Sequence, residues 1–296
     1  MLDDVVAFFT LTPDAKPVIS DIRQFLDFPM DRMRADSPLA VFMHPAVPIL
    51  GVLFYCTALK PLVRAFVRAF DVQPKATWLR CAVILHNVLL AVYSAYTFYA
   101  TWELIYNHAS ERGFYSVYCD PDGSLWRKLE PHAFHFYLSK YYEWIDTVIL
   151  VLKGKKVSLL QAYHHAGIVL AMWANVATGT TSLFWVLGLN AGVHTIMYTY
   201  YGLTAAGFKV AKPKMLTQAQ VVQFIVGISV SAYVHPLGDS CSPYPARMAL
   251  ACMQVYAAVL IPLFVQFFIS AYSKKPKPTT GAGPAPRGAA PRPKVA

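Results

Sequence analysis

The sequence predicts an all-α membrane protein in which seven transmembrane helices enclose a polar chamber. Three observations carry that prediction. The 296-residue chain is 56% hydrophobic and only 14% charged, with a mean hydropathy of +0.40. A soluble domain carries about 25% charged residues, so this chain lacks the polar surface that water would demand. Its apolar residues also gather in runs near the ~20 residues that cross a bilayer as helix. Finally, its basic residues collect in alternate connections. A disordered, collagen-like or disulfide-dense secreted chain is excluded for the bulk of the sequence.

Taken in order, the apolar runs cover 39–59, 76–102, 131–152, 157–176, 181–207, 214–235 and 245–272. The first contains Pro45 and Pro48, which predict a kink of the kind membrane helices tolerate. Residues 1–38 lack the basic start and apolar core of a signal peptide and are read as a retained lumenal segment. Beyond Tyr272, six prolines and six basic residues cannot build a core, so 273–296 reads as a disordered cytosolic tail. The membrane domain is therefore 39–272.

Orientation follows from the charges. The connections after the first, third and fifth runs, with the adjoining Arg80 and Lys214, and the tail hold 17 of the 26 basic residues, with Asp71 their one acid. The positive-inside rule then places the N-terminus outside or in a lumen and the C-terminus in the cytosol. An odd number of spans follows. The net charge of +10 is thus a topology signal first, and nucleic acid is not an expected partner. On this topology Cys119 and Cys241 are the two cysteines that face the lumen, an oxidising compartment, and they are expected to form a disulfide.

Ionisable groups within spans are costly and mark function by default. Lys140, Glu143 and Asp146 recur at spacings of three, so they share one helix face. They form either a functional cluster or an ion network that only sets helix register. Gln161, His164 and His165 share a face in the fourth run, and His194, Met197, Tyr198 and Tyr201 form a stripe in the fifth. Gln220 and Gln223 align in the sixth, and His86 with Asn87 is the strongly polar pair of the second. Five consecutive spans each presenting polar groups are most economically explained by one substrate chamber.

The segments KYYEWIDT (140–147), QAYHH (161–165), HTIMYTYY (194–201) and TQAQVVQ (217–223) resemble, in order and spacing, the four signature boxes of the ELO-type very-long-chain fatty acid elongases. Gln161 departs from the usual HxxHH box. The resulting QxxHH, with HTIMYTYYGLTAAG, resembles plant and microalgal elongases of C18 polyunsaturated Δ9 acyl-CoA. The resemblance implies a 3-ketoacyl-CoA synthase that condenses acyl-CoA with malonyl-CoA, with a bundle holding an acyl tunnel open to the cytosol. No bound cofactor or metal is implied; the two CoA esters are substrates. It further implies residence in the endoplasmic reticulum beside the ketoacyl-CoA reductase, dehydratase and enoyl-CoA reductase of the cycle, with membrane lipids around it and a homodimer left open.

By the same resemblance, His164 is the acyl-imidazole nucleophile, a role histidine chemistry allows. His165 and His194 are proton-transfer or enolate-stabilising partners, although His165 could equally orient its neighbour. Asp146 and Glu143 are expected to orient the imidazoles, and Gln161, Asn190 and Gln220 to supply neutral hydrogen-bonding groups. Lys140, Tyr198, Tyr201 and Gln223 complete the substrate-binding set. Lys153, Lys155, Lys156, Lys209, Lys212 and Lys214 flank the cytosolic mouth, as CoA-phosphate ligands or as topology determinants alone. Two alternatives remain: a di-iron desaturase, which the scarcity of histidines disfavours, and a seven-helix transporter. Saturated or monounsaturated acyl-CoA is the alternative substrate. The terminal RPKVA resembles a loose KxKxx-type retrieval signal.

Overall fold

The computed structural model describes residues 38–210 and 214–272. The N-terminal segment, the tail with its RPKVA end, and Lys212 lie outside the described residues. Among the described residues every regular element is helical. A 3₁₀ turn, Pro38–Met43, leads into α1 (Ala46–Phe54), which passes through a π turn, Tyr55–Leu59, into α2 (Lys60–Ala69). Pro45 and Pro48 do not kink a span; they stand at the start of α1. The first-turn N–H groups of a helix have no intrahelical acceptor, so proline is harmless there. The irregularity lies later, in the π turn, which brings the Tyr55 hydroxyl within 2.9 Å of Thr147 Oγ1.

α3 (Thr77–Arg112) runs 36 residues, or about 54 Å at 1.5 Å per residue, well beyond the ~30 Å hydrocarbon core. α4 (Ser124–Tyr142) begins seven residues before the predicted run because Asp120 accepts from the Leu125 and Trp126 amides at 3.1 and 2.7 Å. Those bonds satisfy N–H groups that a helix start leaves unpaired. α4 and α5 (Trp144–Leu152) meet at Glu143, where the helix breaks. α6 (Leu159–Ala177) is capped by Ser158, whose side chain accepts from the Gln161 amide. α7 (Phe184–Ala206) ends at left-handed Gly207, and Arg80 donates to the Ala205 and Ala206 carbonyls at 2.9 and 2.5 Å. The guanidinium thus meets the negative end of the helix dipole. α8 (Lys214–Ser231) continues as a 3₁₀ turn to Leu237, and α9 is Tyr244–Tyr272.

α3 packs along α7, α9 against α6 and α8, and α4 against α6. The α3–α7 contact is close because Gly188 meets Trp102: a Cβ on Gly188 would stand 2.7 Å from the indole. A core of Leu129, Phe136, Met172, Phe184 and Leu187 fills the space between these helices. Ala46–Ala69, Thr77–Arg112, Lys214–Leu237 and Tyr244–Tyr272 are long and apolar enough to cross a membrane, which describes a multi-pass helical membrane protein. Buried polar side chains are found along α3, from His86 to His108, and on α4–α7, where Lys140, Thr147, His165, Asn175 and His194 lie.

Candidate active site

The break at Glu143 turns the carboxylate into the interior. Lys140, fully buried, donates to Glu143 Oε1 at 2.7 Å and to Asn190 Oδ1 at 3.2 Å, with its ammonium 3.8 Å above the Phe136 ring. His194 Nδ1 lies 3.8 Å from the same Glu143 oxygen. An ammonium and a carboxylate buried together satisfy much of the cost of removing either from water, whereas either alone would be strongly destabilising. Glu143 Oε2 is buried with no hydrogen-bond partner. The Lys140–Glu143 spacing is legible in the chain; the reach to Asn190, fifty residues away, is not.

The adjacent histidines of α6 diverge. Their rings stand at 89° with centroids 5.1 Å apart. His164 lines a cavity of about 570 Å³ and faces the His194 ring at 6.4 Å between centroids. His165 turns toward Gln161, whose amide nitrogen is 2.7 Å from its Nε2, and toward Tyr55 at 6.1 Å. The backbone around the pair is held from two sides: Trp144 Nε1 donates to the His165 carbonyl and Tyr256 OH to the His164 carbonyl. Gly167 makes room for Tyr256, since a Cβ there would meet its ring at 2.4 Å.

The cavity lies between α6, α7, α8 and α9. His164, Asn190 and Gln223 mark its polar head, and Leu189, Phe224 and Leu260 belong to an apolar wall. Ser231 and Gln254 form the opposite end, where Gln254 Nε2 donates to Ser231 Oγ at 2.9 Å and Gln254 Oε1 lies 2.9 Å from His235 Nε2. From Gln223 to Ser231 is eight residues of α8, about 12 Å. The shape is an apolar slot with an imidazole at its head and a polar floor.

Several predicted residues fall elsewhere. Asp146 orients no imidazole of the α6–α7 set; its Oδ1 lies 2.9 Å from His86 Nε2, and its Oδ2 accepts from Tyr198 OH at 2.8 Å. The pairing joins residues sixty positions apart, which helical spacing cannot reveal. Gln220 donates to Met197 Sδ at 3.4 Å, away from the cavity lining, while Gln223 is part of it. Tyr201 is half exposed and packs on Tyr198 and Tyr200. Lys155, Lys156 and Lys209 are exposed, Lys153 is partly buried, and exposed Lys214 sits 5.9 Å over the Tyr272 ring. No group of three or more His, Cys, Asp or Glu side chains converges as a metal site among the described residues. Far from the histidines, a disulfide joins Cys119 to Cys241.

His86 is the functional candidate that spacing arguments undervalue. An ionisable group in an apolar helix is its one signal, and its partner comes from another helix. Tyr55, Trp144 and Tyr256, which hold the histidine segment, carry no signal that separates them from ordinary aromatic packing.

Known proteins resemble this chain over most of its length. The profile of the ELO: GNS1/SUR4 family matches residues 40–280. Fatty acid elongase 1 of Trypanosoma brucei brucei is 30% identical over 222 residues, covering 69% of this chain and 70% of the relative. Very long chain fatty acid elongase 6 of Homo sapiens is 30% identical over 214 residues, covering 69% and 78%. Fatty acid elongase A of Dictyostelium discoideum is 29% identical over 254 residues, covering 83% and 90%. No solved structure gives a significant match. The four boxes lie wholly inside the matched region, and this chain belongs to the ELO (GNS1/SUR4) family of fatty acid elongases.

Proposed function

We propose that the protein is a 3-ketoacyl-CoA synthase that extends C18 polyunsaturated Δ9 acyl-CoA by condensation with malonyl-CoA. The observation that carries the chemistry is His164, set at the head of an apolar slot and facing His194. In the first half-reaction an imidazole nitrogen of His164 attacks the thioester carbonyl. A C–N bond forms, the C–S bond breaks, and the imidazole proton leaves with the thiolate as CoA. In the second, malonyl-CoA loses CO₂ and the freed electron pair becomes an enolate. Its carbon attacks the acyl-imidazole, a C–C bond forms, the C–N bond breaks, and His164 recovers a proton taken up from solvent. The Lys140–Glu143–Asn190 cluster keeps His194 and the chamber wall in place during both halves. His165, turned to Gln161 and Tyr55, acts by orienting the segment.

The acyl chain would enter the slot from the His164 end and run toward Ser231 and Gln254. Acyl chains ending short of that floor stay in apolar surroundings, and longer ones must displace a hydrogen-bonded pair. The choice of polyunsaturated Δ9 substrates rests on the QxxHH box; saturated or monounsaturated chains are the competing reading. Seven crossings follow if α4–α5, α6 and α7 span the bilayer together with the four apolar helices. That arrangement puts the disulfide in the lumen of the endoplasmic reticulum and the exposed Lys155, Lys156 and Lys209 at a cytosolic mouth, where they suit CoA phosphates. The reductase, dehydratase and second reductase of the cycle would be the partners there.

Purified protein supplied with carboxyl-labelled malonyl-CoA and a panel of acyl-CoAs tests the reading. Release of labelled CO₂ only when acyl-CoA is present is expected, with C18 polyunsaturated acyl-CoA the best substrate. Incubation with acyl-CoA alone should free CoA and leave an acyl adduct by intact mass, absent from His164→Ala. Alanine is a good helix former, so that variant should remain folded. No CO₂ release from protein that still binds acyl-CoA overturns the synthase; an adduct that persists in His164→Ala moves the nucleophile elsewhere.

A further inference from the structure

We infer that His86 is a positioning residue of the condensation site, acting through Asp146 and Tyr198 on His194; the inference rests on the synthase reading. His86 is 4% exposed and lies on α3, outside the four signature boxes. Its Nε2 stands 2.9 Å from Asp146 Oδ1, and Tyr198 OH donates to the other oxygen at 2.8 Å. Neither bond is local in sequence, so three helices are tied at one carboxylate.

The hydrogen-bond inventory assigns the proton. With Asp146 ionised, its oxygens only accept, and Nε2 of His86 then carries the hydrogen that Asp146 receives. His86 Nδ1 is buried with no partner. A buried N–H without an acceptor is costly, so the neutral Nε2–H tautomer, with a lone pair on Nδ1, fits this position. The ring is fixed further by stacking on Tyr142 at 5.3 Å and by the edge of Tyr198 at 6.3 Å. Tyr198 in turn presents its edge to His194, at 5.4 Å and 83°. The chain of contacts therefore runs from His86 to Asp146, Tyr198 and His194, and His194 faces His164.

Without the His86 donor, Asp146 keeps one of its two hydrogen-bond donors. The carboxylate is then free to swing and draw Tyr198 with it, and the His194 ring loses a wall. A displacement of about 1 Å in a reacting group costs on the order of a hundredfold in turnover. Binding of acyl-CoA in the slot does not depend on these groups, because none of His86, Asp146 and Tyr198 lines it.

Three substitutions separate the role from simple packing. His86→Phe keeps an aromatic ring on Tyr142 and removes the donor. His86→Gln places an amide N–H near the position of Nε2, whereas His86→Asn places it near Nδ1, short of Asp146. Condensation kinetics should show kcat down roughly a hundredfold in the Phe and Asn variants, with KM for acyl-CoA unchanged. The Gln variant should regain most of the loss. In an Asp146→Ala background, which removes both acceptors, His86→Phe should cost no further activity, the non-additivity expected of groups that act as a unit. Wild-type kcat in His86→Phe, equal loss in Gln and Phe, or additive losses in the double variant would each overturn the inference. Wild-type protein that binds acyl-CoA and never condenses it would instead remove the synthase reading, so the two failures are distinct. Thermal unfolding in detergent identifies a variant that simply fails to fold, in which case the Gln and Asn pair still decides the matter, since they differ only in where the donor lies.

Discussion

At the His164 end of the cavity, Glu143 Oε2 and Gln223 Oε1 are buried with no hydrogen-bond partner. At the Ser231 end, both amide atoms of Gln254 are engaged, Ser231 Oγ donates to the Gly227 carbonyl, and Arg247 reaches the His235 carbonyl. A disulfide and an Arg247–Asp239 ion pair complete that end. Both regions bury polar groups among apolar helices; the second leaves the Trp185 indole N–H without a partner, whereas the first leaves a carboxylate oxygen and an amide oxygen open. An unpaired buried polar atom costs ~1–3 kcal/mol, and native proteins keep few of them without a reason. The contrast is between an end tied by a disulfide and a hydrogen-bonded network and an end with open acceptors, which suits the proposed substrate site.

Removing the cation from the open end should have the largest effect. Lys140→Met strands the Glu143 carboxylate and should cost ~3–5 kcal/mol, read as a drop in unfolding temperature in detergent. Adding Glu143→Leu should recover most of that stability while leaving the protein inactive. A stable single variant would undo the contrast, because it would show that Glu143 does not depend on its partner. Next in size is the disulfide. Cys119→Ser should lower stability by ~2–4 kcal/mol, with kcat unchanged because the bridge lies at the closed end. A fall in kcat that matches the fall in stability would erase the division between the two regions.

The floor of the cavity comes third. Gln254→Ala leaves Ser231 and His235 without their amide partner, an expected loss of ~1–3 kcal/mol. It also deepens the slot, so product analysis with acyl-CoAs of graded length should move toward longer chains. An unchanged length profile would assign Gln254 to structure alone. The smallest effect belongs to the exposed loop beside the disulfide, where the Arg112 guanidinium, 2.6 Å away, holds the Asp122 carboxyl well below the usual carboxylate range. A lowered folded value means that the contribution is present above the unfolded carboxylate pKa of ~3.9 and is lost as pH falls through the folded value. Wild type should therefore lose slightly more stability than Asp122→Asn between neutral pH and strong acid. Parallel acid titrations of the two would refute this, and solvent screening keeps the difference small.

Much of the site is legible in the chain. Lys140 and Glu143 pair as their spacing of three allows, and Gln161 meets His165 one turn on. Their interactions are local, and helical periodicity brings the partners to one face. The Cys119–Cys241 link is legible for a different reason: charge asymmetry assigns the loops to one side, and compartment chemistry does the rest. Other features stay hidden. Pro45 and Pro48 suggest a kink and instead begin a helix, because a proline's effect depends on whether it falls in the first turn. The break at Glu143 has no glycine or proline beside it, whereas the π turn at Tyr55–Leu59 precedes Pro61, which lacks the N–H that a regular helix would donate to Thr57.

The linear chain sets the material of the protein: apolar helices, their alternating charge, and which helix faces bear polar groups. Hydropathy and periodicity are summed over neighbours in the chain, so they need no tertiary information. The partners, by contrast, are chosen by the packed bundle. It sends Asp146 to His86 rather than to the α6 histidines, and it turns His164 into the cavity while His165 faces away. It also closes the slot with Ser231 and Gln254 from two different helices. Each of these depends on where one helix lies against another, and that position is set by packing many side chains at once, which no spacing within a single helix encodes.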